Sequence, residues 1–526
     1  MPKVLIADEL SPAALRIFAE RGITCDVRVG LERAALLAAI ADYDALAVRS
    51  ATKVTADVIA AGRRLKVIGR AGIGVDNIDV EAATQHGIVV MNTPFGNSTT
   101  TAEHAIAMML ALARQLPAAD RSTRAGKWDK SRFLGVELCG KTLGVIGCGN
   151  IGAIVADRAQ GLKMRVIAYD PFLSDARAAD LNVEKVDLAE LLGRADVITL
   201  HTPLTEQTRN LLDADALART KPGVRIINCA RGGLIDEAAL ADAIRSGHVA
   251  GAALDVFATE PARSSPLFEL DEVIVTPHLG ASTGEAQENV AVQIAEQISD
   301  YLLSGAVVNA LNMPAVSAEE APRLRPYMKL VEQLGSFAGQ LTESSLTAVT
   351  ITYAGHAATL NTRPLTQIVL QGLLAPKLSS VNMVNAPAIA KTRGIEVTTI
   401  EHEHVDGYQT LVQVEVATDD APRRAVAGTL FQGHEPRLVH VRGIAIEARL
   451  GPHMLYVRNC DKPGFIGALG RALGDAGINI ATFHLGRERP GGDAIALVEI
   501  DQPVPEAVLA QVRALPQVLR AQVLRF

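Results

Sequence analysis

The chain has 526 residues, 48% of them hydrophobic and 21% charged, with a formal net charge of -7. That length exceeds one ordinary core, and a soft prior of roughly 150 residues per domain predicts three or four domains. The acidic balance argues against a general electrostatic grip on nucleic acid or an anionic membrane, so an anionic ligand must be met by a local basic cluster. Five cysteines, at positions 25, 139, 148, 229 and 460, form no disulfide framework and no CxxC metal site. The start, MPKVLIADEL, meets an acid too early for a signal-peptide core, and no run reaches the ~18 apolar residues of a membrane span. A cytoplasmic location is therefore expected.

In chain order, VLIAD, DALAVRS, LKVIGRAG and IVVMN read as strands separated by helix-period segments, the alternation of a parallel α/β sheet. A long amphipathic helix is predicted from about Thr101 to Arg124. The pattern then restarts with KTLGVIGCGNIG, RVIAYD, DVITLHTP, VRIINCARG, AGAALDVF and VIVTPHLGA, a complete doubly wound unit. Another long helix, roughly Gly284 to Ser304, leads on to VVNALNMP. Because the first sheet precedes the doubly wound unit and this helix follows it, residues 99–282 are expected to be inserted into a domain made of 1–98 and 283–314. Beyond Pro314, PAVSAEEAPRLRP reads as a linker, and 315–450 as an α/β domain with no catalytic signature. Residues 451–526 read strand, helix, strand, strand, helix, strand, the ferredoxin-like βαββαβ order.

Gly147, Gly149 and Gly152 form G-x-G-x-x-G directly after the strand TLGVI and open the helix GNIGAIVADRA. The first glycine permits a tight turn, the second lets the backbone approach a pyrophosphate, and the third allows close helix–strand packing at the positive helix terminus. The next strand, RVIAYD, ends in Asp170, a carboxylate placed for the adenosine ribose hydroxyls and repellent to a 2′-phosphate. NAD is thus the expected cofactor.

Three strand-end segments carry candidate chemistry: NCARGGLID with Arg231, DVFATEP with Glu260 and VTPHLGAST with His278. Oxidising a C2 alcohol needs a general base, which an imidazole at His278 suits. Glu260 is placed to hydrogen-bond that imidazole and hold its tautomer, and Arg231 offers a planar fork to a substrate carboxylate. Taken singly, each has a plain structural alternative: His278 beside a helix N-cap, Glu260 as a surface acid before Pro261, Arg231 as a salt-bridge partner.

The strings ARGGLIDE, FATEP and TPHLGAST resemble those that hold the catalytic Arg, Glu and His of the D-isomer 2-hydroxyacid dehydrogenase family, over Gly144 to Ser282. The resemblance implies a Rossmann-type nucleotide domain inserted in a flavodoxin-like substrate domain. It also implies that Asn150, Ile151, Thr202, Cys229, Ala230 and Gly280 line the cofactor, with Asp255 near its nicotinamide. Family members share these residues and differ in substrate. Arg49 of VRSATKV and Arg70 of GRAGIGVDNID stand at strand ends where two guanidiniums suit a phosphate dianion, or else are solvated strand-end charges. Lys130 and Arg132 of GKWDKSRFLGVEL, beside the one tryptophan, resemble a segment that reaches toward a neighbouring subunit's site.

The whole-chain layout is similar to the long-type phosphoglycerate dehydrogenase family: dehydrogenase core, an intervening domain suggested by VNAPAIAKTRGIEV, and a terminal ACT domain suggested by NCDKPG and GINI. This implies oxidation of D-3-phosphoglycerate to 3-phosphohydroxypyruvate for L-serine biosynthesis by a homo-oligomer, expected to be a tetramer. It further implies L-serine gripped across an ACT dimer by Asp461 and Asn479, which otherwise cap a helix and occupy a turn. Asn459 departs from the His often found in serine-binding members. The alternatives are a broader reductase of 2-oxoglutarate, hydroxypyruvate or glyoxylate, and an NAD-sensing corepressor-like scaffold.

Overall fold

The computed structural model describes residues 1–317, 319–378, 381–405, 407–419 and 422–526; Ala318, inside the expected linker, lies outside them. Strands β1 (Lys3–Ile6), β2 (Thr24–Val27), β3 (Ala45–Val48), β4 (Val67–Arg70) and β5 (Val89–Asn92) form a parallel sheet in the order β2-β1-β3-β4-β5. This is the flavodoxin-like order. Strands β3 and β5 are buried at every position, as parallel strands covered on both faces must be. The cover on one face comes from far along the chain: the helix Gly284–Ser304 lays Val290, Ile294 and Ile298 into this core. The chain thus leaves the first unit and returns to it.

Between departure and return stand β6 (Thr142–Ile146), β7 (Arg165–Tyr169), β8 (Glu184–Lys185), β9 (Val197–Leu200), β10 (Val224–Asn228), β11 (Val249–Leu254) and β12 (Val273–Val275). All are parallel, in the order β12-β11-β10-β9-β6-β7-β8, the doubly wound Rossmann arrangement. The order reverses between β6 and β9, and the crevice at the carboxyl ends there is where such sheets bind ligands.

The single helix expected from Thr101 to Arg124 is two, Ser98–Ala113 and Leu116–Arg124. Gln115 breaks them in the left-handed region at φ 51. Pro117 has no N–H to give the carbonyl of Ala113, which accepts from Val136 at 2.9 Å instead. The expected linker also differs, because its second half begins the helix Glu320–Gln340. Pro322 falls in the first turn, where no intrahelical N–H partner is required. From Leu324 onward, Tyr327, Leu330, Val331 and Leu334 recur at helical spacing and are buried against the sheet that follows.

That sheet is mixed, with β13 (Leu346–Gly355), β14 (Glu396–His402), β15 (Thr410–Thr418), β16 (Arg424–Phe431), β17 (Glu435–Val441) and β18 (Ile444–Ala448) in the order β14-β13-β15-β16-β17-β18. The last sheet holds β19 (Met454–Cys460), β20 (Ile480–Arg487), β21 (Asp493–Ile500) and β22 (Val518–Leu524), ordered β20-β21-β19-β22, with helices Phe465–Gly474 and Glu506–Arg513 on one face. It is the ferredoxin-like module.

These last two units share one core. Met454, Tyr456, Leu497 and Leu524 belong to the same apolar cluster as Phe337 and Leu334. The Phe337 ring meets Tyr456 edge-on at 6.1 Å and stacks on Phe526 at 6.3 Å. A second seam ties the intervening unit to the first sheet. Asn382 Nδ2 donates to the Gly87 carbonyl at 2.9 Å and Asn385 Nδ2 to that of Gln85 at 3.2 Å, while Val384 enters the first unit's core. All five cysteines are free. Among the described residues no helix is long and apolar enough to cross a membrane.

Candidate active site

The glycine turn has the form its spacing predicts. Gly147 sits at φ 89, which an L side chain resists, and a Cβ there would press on the His201 carbonyl. A Cβ on Gly152 would overlap the Gly147 carbonyl, so the helix Asn150–Gly161 approaches β6 only because that position is glycine. A Cβ on Gly149 would meet no atom within 4 Å, so open space borders the helix N-terminus there. Thr202 Oγ1, beside the turn, is buried with no partner. Room for a pyrophosphate and an unused hydroxyl next to it fit a dinucleotide. Asp170 follows β7 and also shapes the turn, accepting the N–H of Cys148 at 2.9 Å and of Phe172 at 2.8 Å.

His278, Glu260 and Arg231 all follow carboxyl ends of neighbouring strands, β12, β11 and β10. Nδ1 of His278 is 2.7 Å from Oε2 of Glu260, and Glu260 Oε1 accepts the Phe257 N–H at 3.0 Å. Burial pushes the Glu260 carboxyl up, but the bonds from His278 and Phe257 outweigh it and hold the group below its ordinary value. With Nδ1 engaged, Nε2 is the ring nitrogen left for a substrate. Arg231 Nε donates to Asp76 Oδ2 at 2.9 Å, reaching from the second unit to the first, and Nη1 donates to the Ala230 carbonyl at 2.6 Å. Its other Nη lies against Gly74, where a Cβ would collide with it.

Asp255, expected near the nicotinamide, is fully buried beneath the loop that carries His278. Its carboxylate accepts from Thr276 Oγ1 at 2.6 Å, Leu279 N at 2.7 Å and Gly280 N at 2.8 Å, and His104 lies 3.3 Å away. Burial raises this carboxyl, but those bonds prevail and hold it below the ordinary range. Ile151 is half-buried in the first turn of the glycine-loop helix. Cys229 is buried, with its thiol raised by burial and by Asp255, and Ala230 donates its N–H to Asn228 Oδ1 at 3.0 Å.

Arg49 and Arg70 follow or end β3 and β4, at the same side of the first sheet as Asp76. Burial, then the neighbouring Arg231 cation, pulls the Arg70 guanidinium down to about 10, so it stays charged at neutral pH. Its Nε is buried without a partner. Among the described residues neither Arg49 nor Arg70 has an acid within ion-pair distance. Lys130 and Arg132 are not brought to this cleft. Arg132 lies 3.6 Å from Asp271, which precedes β12 and so stands at the opposite end of the sheet, and Trp128 and Leu134 beside them are 78% and 86% exposed.

Nor does one chain unite Asp461 with Asn479. Asp461 follows β19 and accepts from Arg487 at 3.0 Å and Gly491 N at 3.1 Å, which hold its carboxyl below the ordinary range. Asn479 precedes β20 and donates to Asp501 at 2.7 Å. Since β19 and β20 run the same way, the two residues sit at opposite ends of the sheet, about 20 Å apart for strands of this length. Edge β20 is moreover pressed on β18, where a Cβ on Gly486 would overlap the Ala445 carbonyl.

Several residues that build the site carried no motif. Asp8, 5% exposed after β1, accepts the N–H of Arg49 at 2.6 Å and the Thr52 hydroxyl at 2.6 Å. Asn77 donates to the carbonyls of Arg49 and Thr52, both at 2.7 Å. Asn92 and Thr93 pin the glycine-rich loop after β4 through Ile73 O and Gly72 N. Asn228 holds the Arg231 carbonyl at 2.9 Å. The available signal was a polar residue ending an apolar strand, as in VLIAD and VRIIN.

A doubly wound sheet with this glycine turn, and an Arg with a Glu–His pair at its strand ends, define the class of D-isomer specific 2-hydroxyacid dehydrogenases. The family described as D-isomer specific 2-hydroxyacid dehydrogenase, NAD binding domain, matches residues 106–280; the D-3-phosphoglycerate dehydrogenase intervening domain matches 323–442 and the ACT domain 453–517. A D-3-phosphoglycerate dehydrogenase of Synechocystis is 45% identical over 97% of this chain and 92% of its own length; that of Bacillus subtilis is 41% identical over 100% and 99%. Among solved structures, a glyoxylate reductase from Paecilomyes thermophila covers 59% of this chain and 98% of itself at 30% identity and a TM-score of 0.56. The chain belongs to the D-3-phosphoglycerate dehydrogenase family.

Proposed function

We propose that this chain oxidises D-3-phosphoglycerate at C2 to 3-phosphohydroxypyruvate with NAD, the first step of L-serine biosynthesis. The observation that carries the substrate reading is Arg70, a charged, half-buried guanidinium with no acid at ion-pair distance among the described residues and its Nε unpartnered, which feels Arg231 and Arg49 against the more distant carboxylates of Asp76 and Asp8. Such a cluster on one side of the cleft suits a substrate with a carboxylate at one end and a phosphate at the other. NAD, when bound, supplies the hydride acceptor. His278 Nε2 takes the C2 hydroxyl proton, and Glu260 holds the tautomer through Nδ1 and stabilises the imidazolium that forms. Arg231 binds the substrate carboxylate and polarises the adjacent carbonyl as it develops.

The test is NAD reduction with 3-phosphoglycerate beside glycerate, lactate and 2-hydroxyglutarate. Strong preference for the phosphate ester is expected. Equal rates with 2-hydroxyglutarate favour the broader oxoacid reading, since a second carboxylate also suits two arginines. No turnover with any of them favours a cofactor-sensing scaffold.

Three finer readings belong with this one. The enzyme works in a reducing cytoplasm, which its free cysteines suit. It assembles as a homo-tetramer in which the exposed Trp128–Arg132 segment meets a neighbouring copy's cleft, a state that light scattering on the purified chain tests. L-Serine lowers its rate by binding between ACT modules of two copies, because Asp461 and Asn479 need a second chain to meet. Titrating serine against initial rate in the parent and Asp461→Ala proteins tests that; identical insensitivity removes the reading.

A further inference from the structure

A second histidine stands behind the first. His104 lies mid-way along the helix Ser98–Ala113, which carries the chain from the first sheet into the second, and its side chain is 20% exposed. Its Nε2 is 3.3 Å from Asp255 Oδ1 and 3.3 Å from Thr276 Oγ1. Thr276 Oγ1 gives its one proton to Asp255 Oδ1 at 2.6 Å, so toward His104 it accepts, and Nε2 carries the proton. Among the described residues His104 is the one cation-forming side chain within ion-pair distance of Asp255, which is fully buried. Leaving such a carboxylate a donor short is costly.

What Asp255 holds is the loop of His278. Its carboxylate takes the N–H groups of Leu279 and Gly280, and its carbonyl takes that of His278 at 2.9 Å. His278 itself is at φ 57, a left-handed conformation that a non-glycine residue keeps only where its surroundings over-determine it. We propose that His104 is a positioning residue for proton transfer: its imidazole N–H braces Asp255 and Thr276, and Asp255 holds the 276–280 backbone in the conformation that presents His278 to the substrate. This rests on His278 as the acid–base residue.

Three variants of the full chain decide it. His104→Leu keeps bulk and deletes the donor, His104→Gln restores an N–H, and His278→Ala is run beside them, with folded fractions from thermal unfolding and NADH affinity from fluorescence. His104→Leu is expected to lose about tenfold or more in kcat, with KM and NADH affinity within about twofold, and His104→Gln to recover most of the loss. Where His104→Leu does not fold, His104→Ala takes its place. The proposal is overturned by a kcat within about twofold of the parent, by a loss that follows the folded fraction, or by a Gln variant no better than Leu. Turnover that survives His278→Ala overturns the acid–base reading itself, and is recognised because it does so whatever the His104 variants do.

Discussion

The imidazole of His278 and the carboxylate of Glu260 meet at 2.7 Å, one nitrogen bound and the other left open. The two residues come from different strand ends, so the pair is made by the sheet and not by proximity in sequence. His278→Ala should lose about 10²- to 10⁴-fold in kcat, the range of a general base, while NADH still quenches or enhances fluorescence at nearly the parent affinity. Glu260→Gln keeps the shape but changes what Nδ1 meets, and its loss should fall mainly on kcat. Steady-state rates at saturating NAD check both.

Arg231 bridges the two units through Asp76. Arg231→Ala should raise KM and lower kcat together if, as proposed, one guanidinium both anchors and polarises the substrate. Arg231→Lys should recover little, because an ammonium cannot serve Asp76, the Ala230 carbonyl and a carboxylate at fixed angles. Measuring kcat and KM for both variants, with unfolding curves to exclude a misfolded Arg231→Ala, checks this.

Asp170 shapes the glycine turn and is also the carboxylate proposed for the ribose site. Asp170→Ala should weaken NAD binding and narrow the preference over NADP. It should also cost about 1 kcal/mol of stability, because the N–H of Cys148 loses its acceptor. Titrations with both cofactors and a denaturant curve separate the two effects; an unchanged NAD to NADP ratio would assign the selectivity elsewhere.

Asp255 and Glu260 are both held below their ordinary carboxyl values, 3.8 and 4.5. For a depressed carboxyl the folded state binds fewer protons than the unfolded one. Its stabilising contribution is therefore complete above the ordinary value and is lost as pH falls through the lower, folded one. Stability should be flat in this respect at neutral pH and fall below about pH 4. Asp255→Asn should be about 2 kcal/mol less stable at neutral pH and show a shallower acid limb in urea curves taken from pH 3 to 7.

Removing residues 453–526 should spare Arg231, Glu260 and His278, the residues proposed for catalysis, which all precede them, yet it strips Met454, Tyr456 and Leu524 from a core shared with the intervening unit. Exposing Phe337 and Leu334 should lower the unfolding temperature of that unit and increase dye binding or aggregation while NAD reduction persists. Calorimetry and activity on the shortened chain check this; unchanged intervening-unit stability would show that the shared core contributes little.

The strand alternation, the glycine turn and the places of Arg231, Glu260 and His278 at strand carboxyl ends were legible in the sequence. They depend on local rules: apolar periodicity, turn chemistry, and the position of a residue at a strand's carboxyl end. The break at Gln115 and the helix hidden in PAVSAEEAPRLRP were not, because tertiary contacts overrode the local pattern. The Ala113 carbonyl found a partner in Val136, and the stripe from Leu324 to Phe337 found a sheet to cover. Only the tertiary structure placed Asp8, Asn77 and His104, whose roles come from neighbours 25 or more positions away. It alone showed that within one chain Arg132 lies beside Asp271, away from the cleft, and that Asp461 and Asn479 stand at opposite ends of their sheet. A strand end announces which way a residue faces; which other strand end it faces is set by sheet order and by the packing between units, and no local signal encodes that.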